Sequence, residues 1–173
     1  MPFYPGPGLG GHCIPIDPLY LSWKLKLLNY NARFIELASE INTSMPEYVT
    51  SKVARALNRS RKAVNGSRIL VLGVAYKKDI SDIRESPALD VIRLLQLEGA
   101  EVAYSDPYAP ELHLDGVSLR SQELTPEIVR GHDCVVVVTD HTGVDFDMVA
   151  KEAALVVDCR NAIRSQAPNV IKL

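Results

Sequence analysis

The stretch Gly10-Gly11-His12-Cys13-Ile14-Pro15-Ile16-Asp17-Pro18 combines a thiol with side chains able to carry protons. A nucleophilic cysteine needs room for a bulky electrophile, which glycines provide, and a nearby group to handle protons. Asp17 or His12 fits that second role. The alternative is a turn whose cysteine merely packs; two glycines and two prolines stiffening the backbone around the thiol point to a site. Gly6, Gly8 and Gly11 also spell G-x-G-x-x-G. That fingerprint binds a pyrophosphate only where a strand enters the turn and a helix leaves it. Only Met1 to Pro5 precede the glycines, too short and proline-rich a stretch for a core strand. A helix through Pro15 would lose a hydrogen bond and clash. The dinucleotide reading therefore fails on context, and residues 1 to 18 are expected to be loop.

Two more stretches carry usable chemistry. In Val74-Ala75-Tyr76-Lys77-Lys78-Asp79, continued by Asp82-Ile83-Arg84-Glu85-Ser86-Pro87, a lysine can meet phosphate oxygens and Tyr76 can stack on a base or sugar. A solvated loop with local Arg84–Glu85 pairing is the plain alternative. In Asp158-Cys159-Arg160-Asn161, the arginine can grip a phosphate bidentately, or simply face solvent.

These stretches need a scaffold. Apolar spacing predicts a helix from Leu19, interrupted at Asn29-Tyr30-Asn31, then a second whose stripe runs through Ile35, Ala38 and Ile41. Pro46 should kink or restart it, with Ser44 as a possible cap, before Val49, Val53 and Leu57 continue the stripe. Beyond Asn65-Gly66 the pattern changes. Arg68 to Gly73 is a continuous apolar run ending in glycine, as a buried parallel strand should be. A helix over Ser86–Glu98 with Gly99 as its cap follows, then a strand over Glu101–Tyr104 and a shorter one over Val117–Leu119. A helix over Pro126–Arg130, a strand over Cys134–Thr139, a helix over Phe146–Glu152 and a strand over Ala154–Asp158 complete the alternation. The expected fold is α/β: a Rossmann-like parallel sheet with helices on both faces over 66–173, preceded by a helical segment within 1–65. Ligands bind beyond the carboxyl ends of such strands, here Gly73 to Asp79, Asp106-Pro107, Thr139-Asp140 and Asp158 to Asn161.

Composition narrows the partners. A net charge of −2 offers no global case for nucleic acid or an anionic membrane surface, and no apolar run is long enough to span a bilayer. Cys13, Cys134 and Cys159 are an odd number at unrelated spacings, which fits neither a disulfide framework nor a zinc site and suggests a reducing cytoplasm.

Taken together, the three stretches resemble the UDP-glucose/GDP-mannose dehydrogenase family. Gly-Gly-x-Cys-x-x-x-Asp at Gly10 to Asp17 is similar to its catalytic cysteine loop. Leu72 to Lys77 with Asp82 to Pro87 is similar to the opening of its UDP-binding domain, and Asp158 to Asn161 to its closing arginine segment. The resemblance implies Cys13 as nucleophile and Asp17 as its acid–base partner. It implies oxidation of a C6 hydroxyl to a carboxylate in two NAD-dependent hydride transfers, with Cys13 holding a thiohemiacetal and then a thioester. Phe3, Tyr4, Leu9 and Gly10 match the loop lining the sugar site, Tyr76 and Lys77 match residues touching the sugar nucleotide, and Arg160 matches an arginine near the cysteine. The helices from Leu19 to Leu57 match the central region through which the parent would be a homodimer. Family members usually show Gly-Gly-Ser-Cys. The form here, Gly-Gly-His-Cys-Ile-Pro-Ile-Asp-Pro after Pro-Gly-Pro-Gly, resembles the UDP-N-acetylhexosamine 6-dehydrogenase branch. The NAD-binding domain has no counterpart in the sequence, so the chain is expected to be an inactive part of a longer enzyme with a UDP-sugar as substrate. The competing expectation is a non-catalytic nucleotide-binding or dimerisation module.

Overall fold

A computed structural model describes residues 4–114 and 116–173. Two helices, α1 (Cys13–Lys26) and α2 (Arg33–Arg59), precede the alternating part. That part runs β1 (Arg68–Leu72), α3 (Pro87–Leu97), β2 (Glu101–Ser105), β3 (Glu111–Leu114), β4 (Val117–Arg120), α4 (Pro126–Arg130) and β5 (Cys134–Val137). It closes with α5 (Phe146–Glu152), β6 (Val156–Asp158) and β7 (Val170–Lys172). The main sheet has the order β2-β1-β5-β6-β7 with every pairing parallel.

Alternation along the strands sorts the core into two layers. Ile69, Val71, Cys134, Val136 and Val157 face α2 and α3, meeting Val49, Val53, Leu57, Ile92 and Leu95. Leu70, Leu72, Val135, Val137 and Val156 face α4 and α5, meeting Val129 and Val149. Helices thus cover both faces, as the apolar runs predict. Each fully buried Val or Leu contributes about 1.5–3 kcal/mol, so the second half of α2 is bound firmly to the sheet. Helix α3 starts on Ser86, whose hydroxyl accepts from Ala88 N at 3.3 Å, with Pro87 in its first turn.

The helical segment departs from the sequence expectation in two places. α1 begins at Cys13 rather than Leu19, because Pro15 falls in the first turn, where its missing N–H has no intrahelical partner to lose. Only Pro18 lies deeper in the helix. α2 runs unbroken through Pro46, and Ser44 is no cap: its hydroxyl donates to Ile41 O at 2.9 Å. Pro46 is buried, and its missing N–H leaves the Asn42 carbonyl without its usual helical donor. β3 and β7 were not expected. β3 pairs antiparallel with β4 in a small hairpin outside the main sheet. The break at Asn29 is as expected, with that residue at φ 57°. Among the described residues no helix is long and apolar enough to cross a membrane.

Candidate functional site

The sheet register sets Leu72, Ser105, Val137 and Asp158 in one row, so the segments leaving β1, β2, β5 and β6 emerge along a single edge. From β1 the chain crosses to β2 on one side and later returns to β5 on the other. Such a reversal opens a crevice between the two central strands. Gly73 leaves β1 at φ 79°, and a Cβ there would lie 2.5 Å from the Thr139 backbone oxygen. Only glycine lets the two segments approach so closely.

Behind the edge lies a buried carboxylate. Asp106 Oδ2 accepts from Val74 N at 2.7 Å and Ala75 N at 3.1 Å, and its Oδ1 accepts from Tyr108 N at 2.8 Å and Ala109 N at 3.2 Å. The Nε2 of fully buried His141 lies 3.0 Å from Oδ2. Burial pushes the Asp106 carboxyl up, but the hydrogen bonds from His141, Val74 and Tyr108 outweigh it and hold the group at about 2. Asp106 is visible in the sequence as a strand end; His141 is not, because its partner is distant along the chain. A polar residue just past a buried strand was the available signal.

Asp158 organises the segment after β6. Its carboxylate accepts from Arg160 N at 3.0 Å, Ala162 N at 3.1 Å and Ile163 N at 3.0 Å. Arg160 then turns toward the edge, with Nε 3.2 Å from Asp140 Oδ1.

The cysteine loop docks on these same elements. A Cβ on Gly10 would lie 2.6 Å from both Tyr76 Cβ and the Glu85 carbonyl oxygen, one on Gly11 would meet the Tyr76 ring at 2.8 Å, and one on Gly6 would strike the Arg160 guanidinium. Gly11 N donates to Arg84 O at 3.1 Å, and Gly8 lies beside Pro87 and the Asn42 carbonyl that Pro46 freed. His12 Nε2 is 2.9 Å from Arg84 Nη1, and Arg84 grips Asp82 through Nε at 2.9 and 3.1 Å. Those bonds from Arg84 bring the Asp82 carboxyl down to about 2.

Cys13 and Asp17 both sit in the opening turns of α1, four residues apart and therefore on one face of the helix, and both are exposed. Cys134 and Cys159 differ: burial pushes both thiols up to about 12. Of the other expected residues, Tyr76 and Arg160 are half-buried, Lys77 and Tyr4 are exposed, and Leu9 borders a cleft of about 480 Å³ between the loop, α1 and α2. Phe3 lies outside the described residues. The loop, Tyr76 and Arg160 are brought into contact; Cys13, Asp17 and Lys77 stand at the surface around them.

NAD does not fit the glycines of this loop. A helix does leave the turn, contrary to expectation, but the space a pyrophosphate needs is filled by Tyr76, Glu85 and Arg160. Among the described residues no cluster of His, Cys, Asp or Glu could hold a metal ion.

A parallel sheet that reverses at β1, with basic and aromatic groups at the reversal point and a cysteine loop folded over them, defines the chain as a doubly wound α/β protein. Comparison with known proteins narrows that class. Residues 70–165 match the UDP binding domain of the UDP-glucose/GDP-mannose dehydrogenase family, and residues 1–44 match that family's central domain. The chain belongs to this family. It is 40% identical over 137 residues to a UDP-N-acetyl-D-mannosamine dehydrogenase of Methanococcus maripaludis, covering 79% of this chain and 29% of that protein. It is 34% identical over 160 residues to an NDP-N-acetyl-D-galactosaminuronic acid dehydrogenase of Ralstonia solanacearum, covering 90% of this chain and 36% of that protein. The solved structure of the UDP-D-ManNAc dehydrogenase of Pyrococcus horikoshii matches 98% of this chain with a TM-score of 0.80 at 30% identity, and the match spans 39% of that chain.

Proposed function

We propose that this chain supplies the cysteine loop and the nucleotide-binding part of an NAD-dependent dehydrogenase that oxidises the C6 hydroxyl of a UDP-N-acetylhexosamine to a carboxylate. The observation that carries the reading is the docking of Gly6, Gly10 and Gly11 onto Arg160 and Tyr76. A sugar nucleotide whose diphosphate meets Lys77 at the sheet edge has its sugar directed along the loop toward Cys13.

In this reading the Cys13 thiolate adds to the carbonyl carbon of a C6 aldehyde, and water later releases the acid from the enzyme-bound acyl group. Asp17, on the same face of α1, takes and returns the protons. NAD, which we place on another part of the enzyme, would supply the hydride acceptor, so the chain alone would be inactive. Arg160 and Tyr76 hold the sugar nucleotide while Tyr4, Leu9 and Gly10 line its sugar, a role Phe3 shares. The exposed Trp23 of α1, Leu27 just past its end, and Phe34, Leu37 and Ile41 of α2 offer apolar surface of the kind that pairs two copies, which supports a homodimer through these helices.

The test is made in a longer protein that carries an NAD-binding domain ahead of this chain. Cys13→Ala there should end net oxidation of the UDP-N-acetylhexosamine to the acid while leaving UDP binding intact. Normal turnover by that variant removes the nucleophile from the reading.

A further inference from the structure

The loop carrying Tyr76 and Lys77 is closed into a hydrogen-bonded ring. Its first end is pinned by Asp106, which accepts from Val74 N and Ala75 N, and by Thr139 Oγ1, which donates to Ala75 O at 2.6 Å. Its second end is pinned at Asp79, whose N–H donates to His141 Nδ1 at 2.9 Å and whose carboxylate accepts from Thr142 N at 2.8 Å and Thr142 Oγ1 at 2.6 Å. His141 Nε2, 3.0 Å from Asp106 Oδ2, joins the two pins. A backbone N–H can only donate, so Nδ1 of His141 is bare and the ring proton sits on Nε2, where Asp106 accepts it. The Tyr108 ring lies against the imidazole with centroids 5.0 Å apart.

Only Tyr76, Lys77 and Lys78 lie between the pins, and both lysines are exposed. Asp79 itself is held at φ 62°, a conformation a non-glycine residue keeps only when its surroundings impose it. Neither His141 nor Asp106 exposes any of its side chain, so neither can touch a ligand at the edge directly.

We propose that His141 is a positioning residue for nucleotide recognition: by accepting the Asp79 N–H at Nδ1 it fixes the Tyr76–Lys78 span so that its ammonium groups meet a diphosphate already ordered. The inference rests on the reading of this edge as the UDP site. Its physical basis is pre-organisation, since a loop ordered beforehand loses less entropy on binding.

Two substitutions separate the halves of the bridge. In His141→Asn the amide oxygen falls near the position of Nδ1, which keeps an acceptor for Asp79 and loses the donor to Asp106. In His141→Gln the amide nitrogen falls near Nε2, which keeps the donor and loses the acceptor. Calorimetric titration of the chain with UDP should show affinity about tenfold weaker in His141→Gln but within about threefold of wild type in His141→Asn. Amide exchange by NMR should show the Asp79 N–H exchanging about tenfold faster in His141→Gln, with the strands unchanged. Thr142→Ala, at an exposed position on the same pin, should weaken UDP binding in the same direction and serves if His141→Gln does not fold. Unchanged exchange at Asp79 in His141→Gln, or equal loss of UDP affinity in both His141 variants, overturns the inference. A wild-type chain that ignores UDP overturns the nucleotide reading and the ligand assigned to this loop; exchange at Asp79 still decides whether His141 holds it.

Discussion

Replacing Asp106 by asparagine tests the buried network most directly, because it keeps the shape and removes the charge. The amide can still accept from Tyr108 N and Ala109 N with its oxygen, but its nitrogen then faces Val74 N, Ala75 N and His141 Nε2. Donors would confront donors in a buried place. At about 1–3 kcal/mol for each unsatisfied group, and less than additively, the variant should lose about 4 kcal/mol at neutral pH. Against a usual total of about 5–15 kcal/mol, such a chain still folds. The pH dependence gives the sharper test. The Asp106 carboxyl titrates at about 2 in the folded chain against a reference of 3.8, so its charge stabilises the fold above the higher value. That stabilisation is lost as pH falls through the lower one. Integrated down to pH 2, the wild type should give up about 2 kcal/mol that Asp106→Asn never had. Urea unfolding at a series of pH values from 7 to 2 should therefore show the gap narrowing from about 4 to about 2 kcal/mol. Asp82 and the other carboxylates titrate in both chains and drop out of the difference. A gap constant across that range, or an Asp106→Asn chain as stable as wild type at pH 7, would refute the account of a buried, ionised carboxylate.

The remaining predictions concern the edge and the loop above it. In the native chain one thiol of the three should react promptly with a disulfide reagent, with Cys134 and Cys159 reacting only after unfolding; three fast thiols would contradict their burial. Gly10→Ala should lift the loop from Tyr76 and Glu85, speeding proteolysis before α1 while shifting the melting temperature by less than about 3 °C. Unchanged cleavage would mean the loop is not docked as described. Lys77→Ala should weaken UDP binding severalfold, with a loss that shrinks as salt is raised; a salt-independent loss would mean the lysine does not meet phosphate.

How much of this was readable from residues depends on how local the cause is. β1, β5 and α3 were legible because apolar runs, a Ser-Pro start and a closing glycine are properties of adjacent residues. β3 and β7 were not: β3 buries only Leu112, and β7 is a short, partly exposed edge strand with no run to distinguish it. The start of α1 was hidden because a proline in a first turn looks the same in sequence as one that breaks a helix. His141 was hidden because nothing near it predicts a partner on another strand. The Cys13 loop, Tyr76 and Arg160 each stand out by local chemistry, but their meeting at one edge is a product of strand order.

The glycines show why that meeting matters. G-x-G-x-x-G spacing clears backbone for something to approach, and sequence alone leaves open what approaches. In a dinucleotide fold it is a pyrophosphate; here it is the Arg160 guanidinium at Gly6 and the Tyr76 ring at Gly11, with Pro87 and the Asn42 carbonyl at Gly8. The partners come from the segment after β6, the β1–α3 loop, the start of α3 and the middle of α2. Each of these glycines therefore records an intramolecular contact, and together they hold the start of α1 over the carboxyl edge of the sheet. Substituting any one of them leaves the thiol and the lysines chemically intact. What it removes is their common frame, so its cost should appear in loop docking and ligand affinity before it appears in the stability of the sheet.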